Sequence, residues 1–355
     1  MSLHDYGWNE FFAQAFDSLQ ADDLVPARVT RAAASIFRVR SEAYRGQATL
    51  AGKLRHAAAN SADLPAVGDW VAIRCADHGD ARIEALLPRR SVLSRNVAGK
   101  RTSEQVVAAN VDLVIVVMGL DGDFNLRRLE RYLTAVRESG ARPLVLLNKI
   151  DLCDDTGSYI ADVGSVAHGV TVLLASCKHG DGVEAVRGHV GAGRTAVLVG
   201  SSGAGKSTLI NRLLGEKVQP TRETREDDDR GRHTTTHREL FRLPGGGLLI
   251  DSPGIRELQL WGGTSSLAQT FDDVEELARA CRFRDCTHES ETGCAVIEAV
   301  ENAALAAHRL DHYRELQKEL RYLEVKQNES AQRSEKQKWR SIQKEYRRFT
   351  KKRGR

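Results

Sequence analysis

The stretch of sequence that decides the fold is Gly200-Ser201-Ser202-Gly203-Ala204-Gly205-Lys206-Ser207. It matches the pattern G-x-x-x-x-G-K-[ST], whose glycines allow backbone N–H groups to turn inward around a phosphate. The apolar segment Ala196–Val199 is predicted to be a strand, and a helix is predicted to begin at Ser207 and to add positive potential with its N-terminus. Lys206 is placed to neutralise β- and γ-phosphates, and Ser207 Oγ to bind Mg²⁺. The eight residues and Thr208 are therefore predicted to bind a nucleoside triphosphate.

A second motif, Asn148-Lys149-Ile150-Asp151, specifies the base. It directly follows the predicted strand Pro143–Leu147 and has the N-K-x-D pattern of GTPases. The Asp151 carboxylate can accept hydrogen bonds from N1–H and from the 2-amino group of guanine, whereas adenine has no 2-amino group and presents an acceptor at N1. We expect Asn148 to brace the neighbouring loops and the stem of Lys149 to lie over the base. The motif predicts guanine nucleotides.

Two further segments follow predicted strands. Ala175-Ser176-Cys177-Lys178 resembles the fifth element of GTPases, and guanine contacts are assigned to Ser176, Cys177 and Lys178. Asp251-Ser252-Pro253-Gly254 has the D-x-P-G pattern, in which Asp251 would hold Mg²⁺ through water and the Gly254 N–H would meet the γ-phosphate.

The segment Gly231-Arg232-His233-Thr234-Thr235-Thr236 lies where the first switch of a GTPase is expected. One of its threonines is predicted to ligate Mg²⁺ in the GTP state, Thr235 in the first place and Thr234 in the second. The position just after the D-x-P-G glycine is Ile255, where Ras-like enzymes have a glutamine that orients the attacking water. The sequence therefore predicts slow intrinsic turnover, with His233 as the candidate catalytic residue. The alternative is that His233 contacts RNA or packs the loop.

The order of these elements is rotated. An ordinary GTPase has the phosphate loop first and the N-K-x-D motif near its end, whereas here N-K-x-D and the serine element come first. This order predicts a circular permutation, which proteins tolerate where the old termini lie close together at the surface. Because the second switch, after Gly254, leads directly into a cysteine-rich segment, we hypothesise that hydrolysis repositions the C-terminal domain.

That segment reads Cys281-x₄-Cys286-x-His288-x₅-Cys294. Three thiolates and one imidazole are a full tetrahedral set for one structural Zn²⁺, with no position left open for catalysis. The alternative is a group of free thiols beside a chance histidine.

Composition restricts the class of protein. Of the 355 residues, 41% are hydrophobic and 28% charged, as in soluble globular proteins. The longest apolar run, Val111–Leu120, contains Asp112 and is too short for a membrane span, and residues 1–16 lack the features of a secretory signal. Six cysteines in such a chain favour a reducing cytoplasm. Residues 331–355 hold 11 Lys or Arg and two Glu, which fits either a phosphate-rich partner or a solvated terminus.

The predicted architecture is multidomain. Short β-prone runs (Arg28–Val39, Ala48–Leu54, Asp69–Arg74 and Arg82–Leu87) indicate a small β-barrel or sandwich, with an OB-like barrel as one candidate. Alternating strands and helices then predict a mainly parallel α/β P-loop GTPase domain, and the helical segments Leu267–Arg279 and Ala303–Val325 flank the cysteines. The expected divisions are an N-terminal extension (1–24), an OB-like β-barrel (25–95), a circularly permuted GTPase domain (96–262), a helical zinc-binding domain (263–330) and a basic tail (331–355).

Through these motifs the chain resembles the circularly permuted, ribosome small-subunit-dependent GTPases of the RsgA family, from about Pro65 to Cys294. The resemblance implies an N-terminal OB-fold, a permuted GTPase domain and a C-terminal zinc domain. It also implies binding to the maturing 30S subunit and its 16S rRNA, with hydrolysis of GTP to GDP stimulated by the ribosome and coupled to release. It points to His233 as the catalytic residue. We expect a cytoplasmic monomer with no membrane partner.

Two other functions remain open at this point. An RNA-binding scaffold with a vestigial nucleotide site is disfavoured by the intact Lys206, Ser207 and Asp251. A P-loop ATPase or kinase is disfavoured by Asn148 and Asp151.

Overall fold

The computed structural model describes residues 2–33, 35–76, 79–97, 103–215, 238–251, 260 and 264–325. The chain divides into two compact units, Met1–Gln259 and Leu260–Arg355. Thirteen strands are described in the first unit: β1 (Val25–Ala33), β2 (Ile36–Arg40), β3 (Arg45–Leu50), β4 (Trp70–Arg74), β5 (Ala81–Leu86), β6 (Val92–Val97), β7 (Ser103–Ala109), β8 (Leu113–Gly119), β9 (Arg142–Asn148), β10 (Thr171–Ala175), β11 (Thr195–Val199), β12 (Arg238–Arg242) and β13 (Leu248–Asp251).

The nucleotide-binding motifs lie on a parallel sheet with the order β10-β9-β8-β11-β13, to which β12 adds an antiparallel strand. Every residue of β8 and β11 is buried, which explains why these strands are apolar throughout rather than alternating. The described helices that follow its strands are α3 (Leu126–Glu138), α4 (Thr156–Gly164), α5 (Val183–Val190) and α6 (Lys206–Leu214). Because the strands are parallel, the ends of β9, β10, β11 and β13 meet at one edge of the sheet, where ligands of α/β folds bind.

The N-terminal strands form a closed five-stranded barrel with the order β1-β2-β3-β5-β4, in which β4 pairs back onto β1. The β3–β5 pair is parallel and the others are antiparallel. The predicted run Arg28–Val39 is divided between β1 and β2. The predicted strand Ala48–Leu54 is wrong at its end, because the chain leaves β3 at Leu50 and forms the short helix α2 (Gly52–Ala57).

The barrel and the parallel sheet are hydrogen-bonded to each other through β1 and β12. The pairs Arg31↔Glu239 and Ala32↔Arg238 join the two, so that eleven strands form one continuous sheet. A register shift between Val29 and Arg31 marks a bulge, a feature that bends a strand and increases its twist. Sequence patterns did not indicate this pairing, nor the separate β6–β7 hairpin.

The N-terminal extension packs on the same unit. Its helix α1 (Glu10–Asp17) is capped by the Asn9 side chain, which accepts from the Phe11 N–H. Phe12 is buried, and the rings of Trp8 and Phe12 lie 4.7 and 5.8 Å from that of Trp70. Aromatic burial therefore holds the extension in place.

The second unit is helical, with boundaries that differ from the predicted ones. The predicted helix Leu267–Arg279 is two helices, Thr264–Thr270 and Asp272–Ala278, separated by the fully buried Phe271. The predicted helix Ala303–Val325 begins later: the helix Ala295–Glu301 precedes it, and residues 307–325 form the long one. Ala303 has a positive φ of 57°, a conformation that ends a helix. Among the described residues, no helix is both long and apolar enough to cross a bilayer.

Candidate functional site

The phosphate loop connects the end of β11 to the start of α6. Gly200 has φ 143°, and a Cβ there would lie 2.2 Å from the Val117 carbonyl oxygen. Gly205 has φ 99°, and a Cβ there would lie 2.1 Å from Asn148 Nδ2. Both positions require glycine, which is the physical reason for the motif's spacing. Lys206 Nζ donates to the carbonyl oxygens of Gly200 (2.7 Å) and Ser201, so the ammonium sits over the loop.

Asn148 joins the phosphate loop to the serine element. It ends β9 and is 2% exposed. Its Nδ2 donates to the Ala204 carbonyl (2.8 Å), and its Oδ1 accepts from the Cys177 N–H (3.0 Å). The bracing role that we expect for this side chain is therefore present in the geometry.

Asp151 is held by the serine element. Ser176 Oγ donates to Asp151 Oδ1 at 2.5 Å, and His179 Nε2 lies 3.8 Å from the other carboxylate oxygen. The hydrogen bond from Ser176 lowers the pKa of Asp151 below its ordinary value, which keeps the side chain an acceptor. Asp151 and Ser176, predicted separately, thus lie together at the carboxyl edge of the sheet.

Asp251 ends β13 at the same edge and is 7% exposed. Burial raises its pKa to about 6, and the negative charge of Glu239, its cross-strand neighbour, adds to the effect. A divalent cation beside Asp251 would favour its ionised form, and the role of Asp251 in holding Mg²⁺ stays a prediction.

The remaining predicted residues lie outside the described part of the chain. They are His233, Thr234, Thr235 and Gly254, together with Ile255 and the basic tail 331–355. Their assignments stay predictions.

The four residues of the cysteine segment converge in the second unit. Their ligand atoms all lie within 4.8 Å of one another, with His288 Nδ1 at 3.6 Å from Cys281 Sγ and 3.4 Å from Cys294 Sγ. The Cys281 and Cys294 sulfurs are 3.8 Å apart. Tetrahedral zinc, with Zn–S of about 2.3 Å and Zn–N of about 2.0 Å, places its ligand atoms about 3.5–3.8 Å apart. Burial lowers the pKa of His288, which favours the neutral imidazole that a metal needs. These residues therefore fit one zinc ion.

Comparison with known proteins identifies the family. The sequence profile of the RsgA GTPase family matches residues 86–261, and the profile described as 50S ribosome-binding GTPase matches residues 195–336. A protein of Syntrophotalea carbinolica named Small ribosomal subunit biogenesis GTPase RsgA is 45% identical over 346 residues, which cover 95% of each chain. This chain belongs to the RsgA GTPase family.

Two solved structures are similar to this RsgA-family chain. The crystal structure of YjeQ from Thermotoga maritima has a TM-score of 0.62 at 25% identity and covers 84% of this chain and 98% of its own. The structure of YloQ, described as a circularly permuted GTPase, has a TM-score of 0.61 at 26% identity and covers 84% and 96%. The rotated motif order is thus confirmed as a permuted GTPase fold.

The RsgA-family site contains two features that the sequence motifs did not reveal. First, Arg212 on α6 donates to the carbonyl oxygens of Cys177 (3.2 Å) and Lys178 (2.6 Å), which fixes the backbone of the serine element. The sequence shows that Arg212 lies six residues after Lys206 in the same predicted helix. It does not show which loop the guanidinium contacts, because that depends on the fold.

Second, the loop after β8 contributes two aspartates. Asp121 pairs with Lys149 Nζ, and Asp123 accepts a hydrogen bond from Ser201 Oγ. Burial alone would raise the pKa of Asp121, but the hydrogen bond and charge of Lys149 lower it overall. Sequence analysis could have found this loop, because its two aspartates follow a strand that is apolar throughout. This acidic loop orients the lysine that is predicted to lie over the base.

Proposed function

We propose that the protein is a GTP-hydrolysing ribosome biogenesis factor that binds the maturing 30S subunit and its 16S rRNA. In this proposal the small subunit stimulates hydrolysis, and hydrolysis is coupled to release. The observation that carries it is the convergence of the phosphate loop, Asn148 and Asp151 at one sheet edge, in a chain 45% identical over 95% of its length to a relative named for small ribosomal subunit biogenesis.

Guanine recognition rests on Asp151 and the serine element. Asp151 would accept from N1–H and the 2-amino group, while Ser176, Cys177 and Lys178 line the base and Lys149 covers it. Because Ser176 and Asn148 already fix these groups, binding needs little reorganisation.

The phosphates would replace existing contacts of the loop. Lys206 now donates to the loop's own carbonyls and would turn its charge to the β- and γ-phosphates. The other proposed contacts come from the remainder of the loop, namely Gly200, Ser201, Ser202, Gly203, Ala204, Gly205, Ser207 and Thr208, and from Gly254.

Magnesium would be held by Ser207, Thr235 or Thr234, and Asp251. Held there, Mg²⁺ would supply positive charge that stabilises the charge developing on the phosphates. We propose that His233 orients the water that attacks the γ-phosphate, since Ile255 cannot. In this proposal the free protein turns over slowly because Ile255 cannot orient the water, and the subunit stimulates hydrolysis by positioning His233.

The rRNA contacts are proposed for three regions. The closed barrel has the strand number of an OB-fold, a fold whose strand face and loops bind oligonucleotides. Arg279, Arg282 and Arg284 are exposed beside the cysteine cluster, and the Arg282 guanidinium lies 5.5 Å from the ring of the exposed Phe283. Such cations contact phosphates while the ring offers a stacking surface for a base. The third region is the tail 331–355.

Cellular context and organisation complete the proposal. We place the protein in the cytoplasm as a monomer with no membrane partner. The domain divisions are those predicted: 1–24, 25–95, 96–262, 263–330 and 331–355. One zinc ion per chain would hold Cys281, Cys286, His288 and Cys294 together in a structural role.

The test is the GTPase rate with and without purified 30S subunits, with 50S subunits as the control. We expect at least a tenfold stimulation by 30S and none by 50S, in keeping with a missing catalytic group supplied on binding. Stimulation by 50S alone would contradict the proposal and would favour the activity named in the profile over residues 195–336. For the catalytic assignment, His233→Ala is compared with His237→Ala, and equal 30S-stimulated rates would exclude His233.

A further inference from the structure

A cavity of about 620 Å³ lies at the opposite end of the parallel sheet from the nucleotide motifs. It is formed where the N-terminal extension meets the amino ends of β9 and β11. Arg142 begins β9, six residues before Asn148, so the cavity is about 20 Å from the guanine-binding loop at the usual rise of a strand. It is therefore distinct from the GTP site.

Arginine dominates the lining of this cavity. Four guanidinium groups, from Arg28, Arg90, Arg142 and Arg194, border it, against one carboxylate, Asp112. Asp112 is already engaged, because its Oδ2 accepts from the Thr195 N–H at 2.8 Å. Within the described part of the chain, Arg90, Arg142 and Arg194 form no ion pair and lie exposed at the rim. We call this feature the arginine cavity.

Arg28 forms the buried part of the wall. It is 1% exposed, and its Nη atoms donate to three neutral acceptors: the carbonyls of Tyr6 and Asn110, both at 3.1 Å, and Thr195 Oγ1 at 3.2 Å. Its Nε is buried with no hydrogen-bond partner among the described residues.

A fixed cation in this position is costly to the folded protein. Burial lowers the pKa of Arg28 to about 10, although the nearby carboxylates of Asp112 and Asp69 offset part of that effect. An anion in the cavity would offset part of the cost of burying this positive charge, without a direct hydrogen bond to the buried Nε. The buried positive charge of Arg28 therefore favours binding of an anion in the cavity.

The shape and chemistry of the cavity identify the class of ligand. Arginine is the side chain best suited to phosphate, which it binds through two parallel hydrogen bonds. The volume suits a molecule of nucleotide size rather than a single ion. Trp8 and Phe12 add an aromatic wall to the arginines, which matches a ligand with a flat apolar part.

We propose that the arginine cavity is a second binding site, for a small phosphate-bearing anion, either an inorganic diphosphate or a nucleoside phosphate. Both sources share the diphosphate group, which the exposed guanidinium groups of Arg90, Arg142 and Arg194 would bind with the buried charge of Arg28 behind them. The site goes beyond the proposed GTPase function, since it involves none of the residues assigned to GTP.

The test uses the full-length protein saturated with GDP, so that the phosphate loop is occupied. Pyrophosphate and ADP are titrated separately by calorimetry into the wild type and two matched variants. Arg142→Ala/Arg194→Ala removes two charges from the arginine cavity. Arg55→Ala/Arg82→Ala removes two charges from exposed positions elsewhere.

We expect the wild type to bind one diphosphate per chain. The affinity should fall at least tenfold in the cavity variant and stay within twofold of wild type in the control variant. The affinity for GDP should be unchanged in both variants. If ADP binds more tightly than pyrophosphate, the site recognises nucleoside phosphates. If the two bind with equal affinity, the site recognises the diphosphate group alone. No binding to the GDP-saturated wild type, or the same loss in both variants, would overturn the proposal. These outcomes are independent of the ribosome assay, so the two proposals fail separately.

Discussion

The nucleotide site and the cysteine cluster are both built on loops, but the loops are held in different ways. At the nucleotide site, each loop leaves the end of a buried strand, and Asn148 and Arg212 tie neighbouring loops together through backbone hydrogen bonds. In the cysteine segment, residues 280–293 form no helix or strand, and His288 is the one buried residue among these fourteen described positions.

The difference shows what each site needs from its ligand. At the first, side-chain hydrogen bonds between loops hold the phosphate loop and the guanine-binding residues, so protein contacts supply much of the cohesion of the described part of the site. The second places its four ligand atoms within 4.8 Å of one another in a segment whose residues are mostly exposed, so a metal ion would supply most of its cohesion. We therefore expect the two sites to respond differently to substitution and to ligand removal.

The largest expected effect tests guanine recognition at the organised site. Asp151→Asn replaces one acceptor with a donor facing the guanine 2-amino group, and GDP affinity should fall on the order of 10³-fold. Xanthosine diphosphate, with an accepting oxygen at that ring position, should bind better to the variant than to the wild type. Competition binding measures both, with the exposed Asp154→Asn as control. An equal loss for the two bases would refute a direct contact with the base.

The next effect tests the brace itself. Asn148→Ala leaves the Ala204 carbonyl and the Cys177 N–H without their buried partners. The local stability of β9 and β10 should fall by roughly 2–4 kcal/mol, the cost of two unsatisfied buried groups. Native-state hydrogen exchange reports this, with the exposed Asn302→Ala as control. Unchanged protection would mean that the strands alone hold the loops, which would weaken the comparison.

Metal removal tests the other side of the comparison. A chelator should release about one zinc per chain and speed amide exchange in residues 280–293 at least tenfold, while strands β8, β9 and β11 change less than twofold. Cys294→Ser should reproduce the result and Cys153→Ser should not. Metal analysis combined with hydrogen exchange distinguishes the two. Loss of protection in both units to the same extent would show that zinc does not stabilise the cysteine segment selectively.

The smallest expected effect concerns Asp251. Its pKa, raised from 3.8 to about 6, means that the folded protein binds this proton more tightly than the unfolded chain does. Ionised Asp251 therefore destabilises the magnesium-free fold, with a cost that grows between pH 3.8 and about 6 and is constant above. Asp251→Asn should stabilise that protein at pH 7.5 by about 1–2 kcal/mol, a gain that disappears near pH 4.

Urea unfolding at both pH values measures this gain. Glu239→Gln serves as the matched variant, because it removes only the neighbouring charge and should give a smaller gain in the same direction. A loss of stability in Asp251→Asn at pH 7.5 would show that the carboxylate is already compensated within the protein.

Local patterns predicted the parts of the molecule that local chemistry determines. The phosphate loop follows from glycine placement, and the buried strands β9 and β11 follow from apolar runs, to within one residue at each end. The four zinc-ligand candidates follow from residue type and spacing, and the structure brings them together.

Other features depend on which distant segments meet. The reach of Arg212 to the serine element and the pairing of Asp121 with Lys149 involve surface-type residues whose partners are fixed only by the fold. The break at Phe271 is similar, since helical propensity continues through it and tertiary burial of the ring decides the boundary. Backbone pairing at sheet edges, as between β1 and β12, leaves little trace in side-chain patterns.

The pairing of β1 with β12 has a consequence for folding during synthesis. Arg31 and Glu239, partners across β1 and β12, are 208 residues apart in the sequence. At a synthesis rate of about 5–20 residues per second, β1 waits about 10–40 s before its neighbour has been made. Throughout that interval Arg31 and Ala32, which lie beyond the pairing of β1 with β4, lack the strand that later pairs with them, and unpaired strand edges are sites where chains mispair. Mispairing at this end of β1 is therefore a risk during synthesis, until residues 238–239 have been added to the chain.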